Sequence, residues 1–251
     1  VTHETVALNR NFQAFSKPLP ATAAYDELQP LLLPERWPPT DEVEAALARW
    51  QAEHGMAAFQ TAVSQGQYRH ADGLFYGGQA PSWSQQTLRQ VLQAHAPRVR
   101  RLAWIDVHTG LGPSGVGERI FACRDDAQAL RRAREWWGGG GRTPVTSIYD
   151  GSSTSALLTG LMWTVAYEAF PQAEYTGIAL EYGTRPFPQV LQALRADHWL
   201  HRHPDAPDAM RQAIRQQVRD AFYVDSDAWR QQVVDQAREA LFQAADGLAQ
   251  G

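Results

Sequence analysis

The chain has 251 residues, 44% of them hydrophobic and 20% charged, with a net charge of −4. That composition fits an ordinary globular protein with a sizeable core, and with no clustered basic patch it argues against nucleic acid as a partner. No apolar run reaches the roughly 20 residues needed to cross a bilayer, and the start Val1-Thr2-His3-Glu4 does not read as a signal peptide, so a cytoplasmic location is expected. The single cysteine, Cys123, rules out an internal disulfide.

In chain order, Val6 to Phe12 reads as a short strand-like piece, followed by the turn-rich Ser16-Lys17-Pro18-Leu19-Pro20. Tyr25 to Leu33 reads as a short helix interrupted at Pro30. A helix is expected from Asp41 to about Val63, with Glu44 placed for a capping box and Val43, Leu47 and Trp50 at helical spacing. Gly66 to Ser84 mixes glycines and aromatics without a period and reads either as a functional loop or as a packed surface loop. A helix follows from about Ser84, with Leu88, Val91, Leu92 and His95 on one face.

Leu102-Ala103-Trp104-Ile105-Asp106-Val107-His108-Thr109-Gly110 is an apolar, β-branched run that stops in polar residues and glycines. It reads as a buried strand handing over to a loop. A second run, Tyr175 to Thr184, delivers Glu181 to a strand end in the same way. Ligands in open α/β sheets bind just past the carboxyl ends of strands, so the two runs are expected to bring an imidazole and a carboxylate to one site. Taken alone, His108 also reads as a hydrogen-bonded strand-end histidine, and Glu181 as an ion-paired carboxylate near Arg185.

Between these strands, Gly115 to Cys123 contains a further strand, and Asp125 or Asp126 caps a helix through Leu130, Ala133 and Trp137. Gly138 to Gly141 ends that helix and is expected to be mobile; it is not a P-loop, since no Lys-Ser/Thr follows. Val145 to Tyr149 reads as a strand, and Ser152 to Ser155 as a turn opening a helix to about Phe170. Three helices close the chain, about 187–200, 209–222 and 228–245, the last with an apolar stripe of Trp229, Val233, Ala237 and Leu241. His198, His201 and His203 read as a loose metal cluster or as solvated histidines at a helix end. The alternation of strands and helices argues for one α/β domain over residues 1–251, with a mixed, largely parallel sheet flanked by helices.

Asn9-Arg10-Asn11-Phe12, Ile105 to Gly110 and Leu180-Glu181-Tyr182-Gly183-Thr184 occur in the order seen in zinc carboxypeptidases. Together with Gly66-Gln67-Tyr68, the Gly73 to Gly78 loop and Leu194 to Leu200, they make the chain resemble a bacterial metallopeptidase-like branch of that superfamily, near the succinylglutamate desuccinylases and aspartoacylases. The resemblance implies a zinc-carboxypeptidase-like (phosphorylase/hydrolase-like) fold and zinc-dependent hydrolysis of an amide in a small peptide or acyl-amino acid with a free carboxylate. It implies that His108 is a zinc ligand from a central strand and Glu181 the general base. Asn9 and Arg10 would clamp the substrate carboxylate, and Tyr149 would be a mobile substrate-covering tyrosine.

The superfamily's first two zinc ligands, His-x-x-Glu, lie upstream of the Asn-Arg pair, and no His-x-x-Glu occurs in this sequence. On that ground the chain is expected to be the C-terminal portion of the enzyme fold, with early strands missing and a sheet edge left to be covered, which favours self-association. The alternative is a metal-free binding or assembly module, or an inactive fragment, on the same fold.

Overall fold

The computed structural model describes residues 5–139 and 144–250. The chain forms two compact units: Val1–Arg89 with Ala156–Met162 and Leu191–Val218, and Gln90–Ser155 with Trp163–Val190 and Arg219–Gly251.

The first unit is helical. Its elements are α1 (Ala23–Leu32), α2 (Asp41–His54), α3 (Met56–Ser64) and the first part of α4 (Trp83–His95), with parts of α7 (Phe187–Arg202) and α8 (Asp208–Phe222). The Val6–Phe12 piece is not a strand; it contains a 3-10 turn at Leu8–Arg10. Helix α1 runs through Pro30 instead of stopping there. The single helix expected from Asp41 to Val63 breaks at Gly55, whose φ of 85° ends α2 and starts α3. α2 starts at Asp41 as expected; Thr40 precedes its first turn, and the Thr40 side chain makes no cap hydrogen bond. Glu44 makes no capping box: it accepts from Nη1 of the buried Arg195 at 2.9 Å. Arg195 also donates to the Leu31 and Leu32 carbonyls at 3.0 and 2.9 Å, which satisfies the exposed carbonyl end of α1.

The second unit carries β1 (Arg101–Ser114), β2 (Gly117–Phe121), β3 (Val145–Ser147) and β4 (Glu174–Gly183), with helices α5 (Ala127–Trp137), α6 (Thr164–Ala169) and α9 (Asp227–Ala249). Among the described residues they form one sheet of order β1-β4-β2-β3. β1 runs parallel to β4 and β2 parallel to β3, while β2 is antiparallel to β4. This is the α/β architecture with a mixed, largely parallel sheet that the alternating pattern implied. β1 lies at one edge of that sheet.

One face of β4, through Ile178, Leu180 and Tyr182, enters a core with Phe121, Trp137 and Ala240. The indole N–H of Trp137 donates to the Ala240 carbonyl of α9 at 3.0 Å, and the Tyr182 hydroxyl to the Val233 carbonyl at 3.0 Å. Asp126, rather than Asp125, caps α5 by accepting from the Gln128 and Ala129 amides. Gly138 follows α5 as its C-cap; Gly140 and Gly141, on which mobility was expected, lie outside the described residues, as does Val1 to Glu4.

The helix expected from the Ser152–Ser155 turn to about Phe170 is confined to Thr164–Ala169. Between that turn and Thr164 the backbone bonds elsewhere: the Thr159 amide donates to the Gln65 carbonyl, the Gly160 carbonyl accepts from the Phe12 amide, and Gly160 has φ 67°, outside the helical region. The stripe on α9 is also displaced: Trp229, Ala240 and Ala244 are buried, whereas Leu241 is 62% exposed.

Leu180→Ala is expected to lower stability by about 2–5 kcal/mol in urea denaturation, because a fully buried leucine leaves a cavity. Leu241→Ala is expected to change it by no more than about 0.5 kcal/mol. A large loss at Leu241 would contradict this packing.

Candidate active site

In the β1–β4 pairing Ile105 stands beside Ile178, Asp106 beside Ala179 and His108 beside Glu181. Paired residues of adjacent strands share a face, so His108 and Glu181 lie side by side on the face opposite the Ile178-Leu180-Tyr182 core. Asp106 is on that face too, two residues before His108. Its Oδ2 lies 2.9 Å from His108 Nε2. With the proton on Nε2 donated to Asp106, the imidazole lone pair sits on Nδ1, the arrangement by which a carboxylate orients a metal-ligating histidine. The side chains of His108 and Asp106 are 34% and 21% exposed, so both reach solvent.

Glu181 is held by backbone. After Gly110 the register of β1 shifts, and the displaced turn presents the Leu111 amide to Glu181 Oε1 at 2.9 Å. Two glycines permit this. Gly110 has φ 145°, which disfavours a side chain. A Cβ on Gly183 would stand 2.1 Å from the Pro113 carbonyl oxygen and 2.3 Å from that of Gly112, so only glycine lets the turn close over the end of β4. Burial pushes the Glu181 carboxyl above its ordinary pKa; the Leu111 amide and His108 oppose that, while Glu118 and Asp106 add to it.

Glu118 stands beside Glu181 on the other flank, in the β2–β4 register. It is buried, 8% exposed. Its Oε1 accepts from Thr146 Oγ1 at 2.6 Å and from the Thr154 amide at 3.1 Å, and its Oε2 accepts from Thr154 Oγ1. Neither Asp106 nor Glu118 is evident as a site residue in the sequence; the signal for both is the period-2 spacing that puts them on the His108–Glu181 face once the strands are paired.

Tyr149 follows β3 and is 39% exposed. Its hydroxyl donates to the Cys123 carbonyl at 2.5 Å, and burial pushes its pKa up to about 12. Asn9 and Arg10 belong to the first unit. Asn9 Oδ1 accepts from the Met162 amide at 2.7 Å. Arg10 is 8% exposed; its Nε and Nη2 donate to the Ser64 carbonyl at 2.8 and 2.7 Å, and its Nη1 to the Asn9 carbonyl at 2.6 Å. Burial lowers its pKa to about 10, so it stays protonated at neutral pH. In this arrangement both residues hold backbone together.

The three late histidines have separate partners. His198 Nε2 meets the Asp72 carbonyl, His201 pairs with Asp197, and His203 stacks on Trp199. Among the described residues, no group of three or more His, Cys, Asp or Glu side chains is gathered to hold a metal ion. At the opposite ends of β1 and β4 an open cleft of about 640 Å³ is lined by Arg101, Arg132, Glu174 and Asp246 among others; there Glu174 pairs with both arginines.

A family model for a protein of unknown function (DUF2817) matches residues 1–236. The chain belongs to the DUF2817 family. For this DUF2817 chain, comparison with curated proteins and with solved structures gives no match. Among the described residues no helix is long and apolar enough to cross a membrane.

Because folding raises the Glu181 pKa, the stability linked to its protonated form is complete below the ordinary carboxylate range. It is lost as pH rises through the raised value. Glu181→Gln is therefore expected to raise Tm at pH 7, with the gain vanishing below about pH 4. Circular-dichroism melts across pH 3–8 check this; a variant less stable at pH 7 than at pH 4, relative to the unaltered chain, would contradict it.

Proposed function

We propose that this chain belongs to a cytoplasmic hydrolase that cleaves an amide in a small peptide or acyl-amino acid bearing a free carboxylate. The observation that carries the reading is the register of His108 beside Glu181, with Asp106 orienting the imidazole. A carboxylate whose pKa is raised by burial at a solvent-reaching strand end is suited to taking a proton from water and returning it to a leaving amine. The Leu111 amide fixes the carboxylate while it does so.

Zinc is part of the proposal, and the donor set fits it only in part. His108 with Asp106 has the chemistry of one ligand and its orienting carboxylate. A catalytic zinc takes three protein ligands, so the other donors would come from outside the described residues. Bound there, zinc would polarise the amide carbonyl and make water more acidic. Tyr149, tethered through its hydroxyl to Cys123, would have to give up that bond to cover a substrate. A metal-free binding module is the outcome if the test below finds neither zinc nor turnover but retained binding of a carboxylate ligand.

In the natural polypeptide that carries this sequence, we expect one zinc per chain by elemental analysis and hydrolysis of an N-acyl amino acid series. His108→Ala should remove the zinc. Glu181→Gln should keep the zinc and lower kcat by about 10²- to 10⁴-fold. Full activity in Glu181→Gln would overturn the assignment of the base.

A further inference from the structure

Both oxygens of Glu118 are taken up by one chain segment. Thr146 binds it from β3, and Thr154 binds it through both its amide and its hydroxyl. The intervening residues, Ser147 to Ser153, contain the turn that carries Tyr149. That turn is bonded internally, with the Tyr149 amide donating to Ser147 Oγ and the Ser152 amide to Asp150 Oδ1. Its external ties besides Glu118 include the Ile148 amide donating to the Phe121 carbonyl at 3.3 Å, the Tyr149 hydroxyl on the Cys123 carbonyl, and the Arg134–Asp150 ion pair at 3.6 Å between half-exposed side chains. An exposed pair of that kind contributes little. A buried carboxylate with donors from both ends of the turn is much the stronger tie, since bonds to charged acceptors are the strong ones.

The position of the tie matters. β2 is antiparallel to β4, and Glu118 is the register partner of Glu181. The turn is thus fastened at the residue next to the candidate base and on the same face. A strap that served stability alone would have no need of a charge there. Buried carboxylates are costly to desolvate, and a second one beside Glu181 adds repulsion.

We propose that Glu118 is a positioning residue: it clamps residues 146 and 154 beside Glu181 and so sets where the Tyr149 turn stands over the site. This rests on the hydrolase reading of His108 and Glu181. Glu118 touches no reacting atom in it. Its effect passes through the turn, so it governs substrate capture more than the chemical step.

The test uses the natural polypeptide in unaltered form and as Glu118→Ala, Glu118→Gln and Thr154→Val. Amide exchange followed by mass spectrometry should speed up over residues 148–155 by about tenfold or more in Glu118→Ala, and by less in Thr154→Val, while the Leu111 amide keeps its protection. With N-acyl amino acid probes, KM should rise about tenfold in Glu118→Ala with kcat within about threefold of the unaltered value, the signature of lost binding. Glu118→Gln, which keeps one acceptor oxygen, should recover part of the loss. Thr154→Val preserves side-chain shape and keeps the proposal testable if Glu118→Ala fails to fold. Unchanged exchange over 148–155 in both Glu118→Ala and Thr154→Val would overturn the clamp. Faster exchange with KM unmoved would overturn its role at the site while leaving the hydrolase reading intact. No turnover in the unaltered polypeptide would instead remove the hydrolase reading, and the role of Glu118 with it.

Discussion

The pairing register of β1 with β4 is the constraint on which everything at this site depends. A strand's side chains alternate faces, so a slip of one residue would send His108 to the core face and bring Val107 beside Glu181. The register is pinned from both faces. On the core side, the fully buried Leu180 and nearly buried Ile178 have nowhere else to go. On the loop side, the turn after Gly110 closes over Gly183, and the Trp229 indole donates to the Gly183 carbonyl at 3.0 Å. Thr184 adds bonds from its hydroxyl to the Gly110 and Ala221 carbonyls. The apolar half of the sheet therefore fixes the polar half.

The polar half is not optimised for stability. Asp106, His108, Glu181 and Glu118 fall on one face of three neighbouring strands, where burial and the neighbouring carboxylates penalise ionisation of Glu181. Each is partly relieved: the imidazole by Asp106, Glu181 by the Leu111 amide, Glu118 by two threonines. Local conflicts of this kind, held in place by well-packed surroundings, mark functional sites more often than scaffolds. The buried polar residues of the first unit behave differently. The Arg10 guanidinium, the Asn11 amide and the Tyr68 hydroxyl are directed at backbone carbonyls at the end of α3, at Gly77 and in the 3-10 turn, where an unpaired carbonyl would otherwise be costly.

The two strands were legible because their apolar runs end abruptly in polar residues and glycines, and the sheet's mixed, largely parallel character follows from helices lying between them. Helix α5 was legible through the Asp126 cap and the Leu130-Ala133-Trp137 spacing. What the sequence could not show was pairing. That His108 meets Glu181 in register, and that Glu118 joins them, depends on pairings 73 and 63 positions apart in the chain, which periodicity does not encode. The break at Gly55 does not show in the sequence, because a lone glycine within a helical pattern is often tolerated. The helix after the Ser152–Ser155 turn starts only at Thr164 because residues 156–163 bond to distant backbone, at Gln65 and Phe12, and bend at Gly160 with φ 67°, neither of which local periodicity encodes. Extending the spacing from Trp229 strictly in fours puts Leu241 in the stripe, while over 23 residues the buried face of α9 drifts to Ala240, Ala244 and Gly247.

The central claim, that one imidazole and one carboxylate share a face across adjacent parallel strands, is tested most directly by proton–proton NOEs in protein labelled at histidine, glutamate and isoleucine. The account predicts cross-peaks between the His108 ring protons and the Glu181 γ-protons, together with a His108 ring protonated on Nε2 in its neutral form. An absent His108–Glu181 cross-peak alongside a clear Ile105–Ile178 one would show the strands paired as described but the two side chains directed apart, and would contradict it.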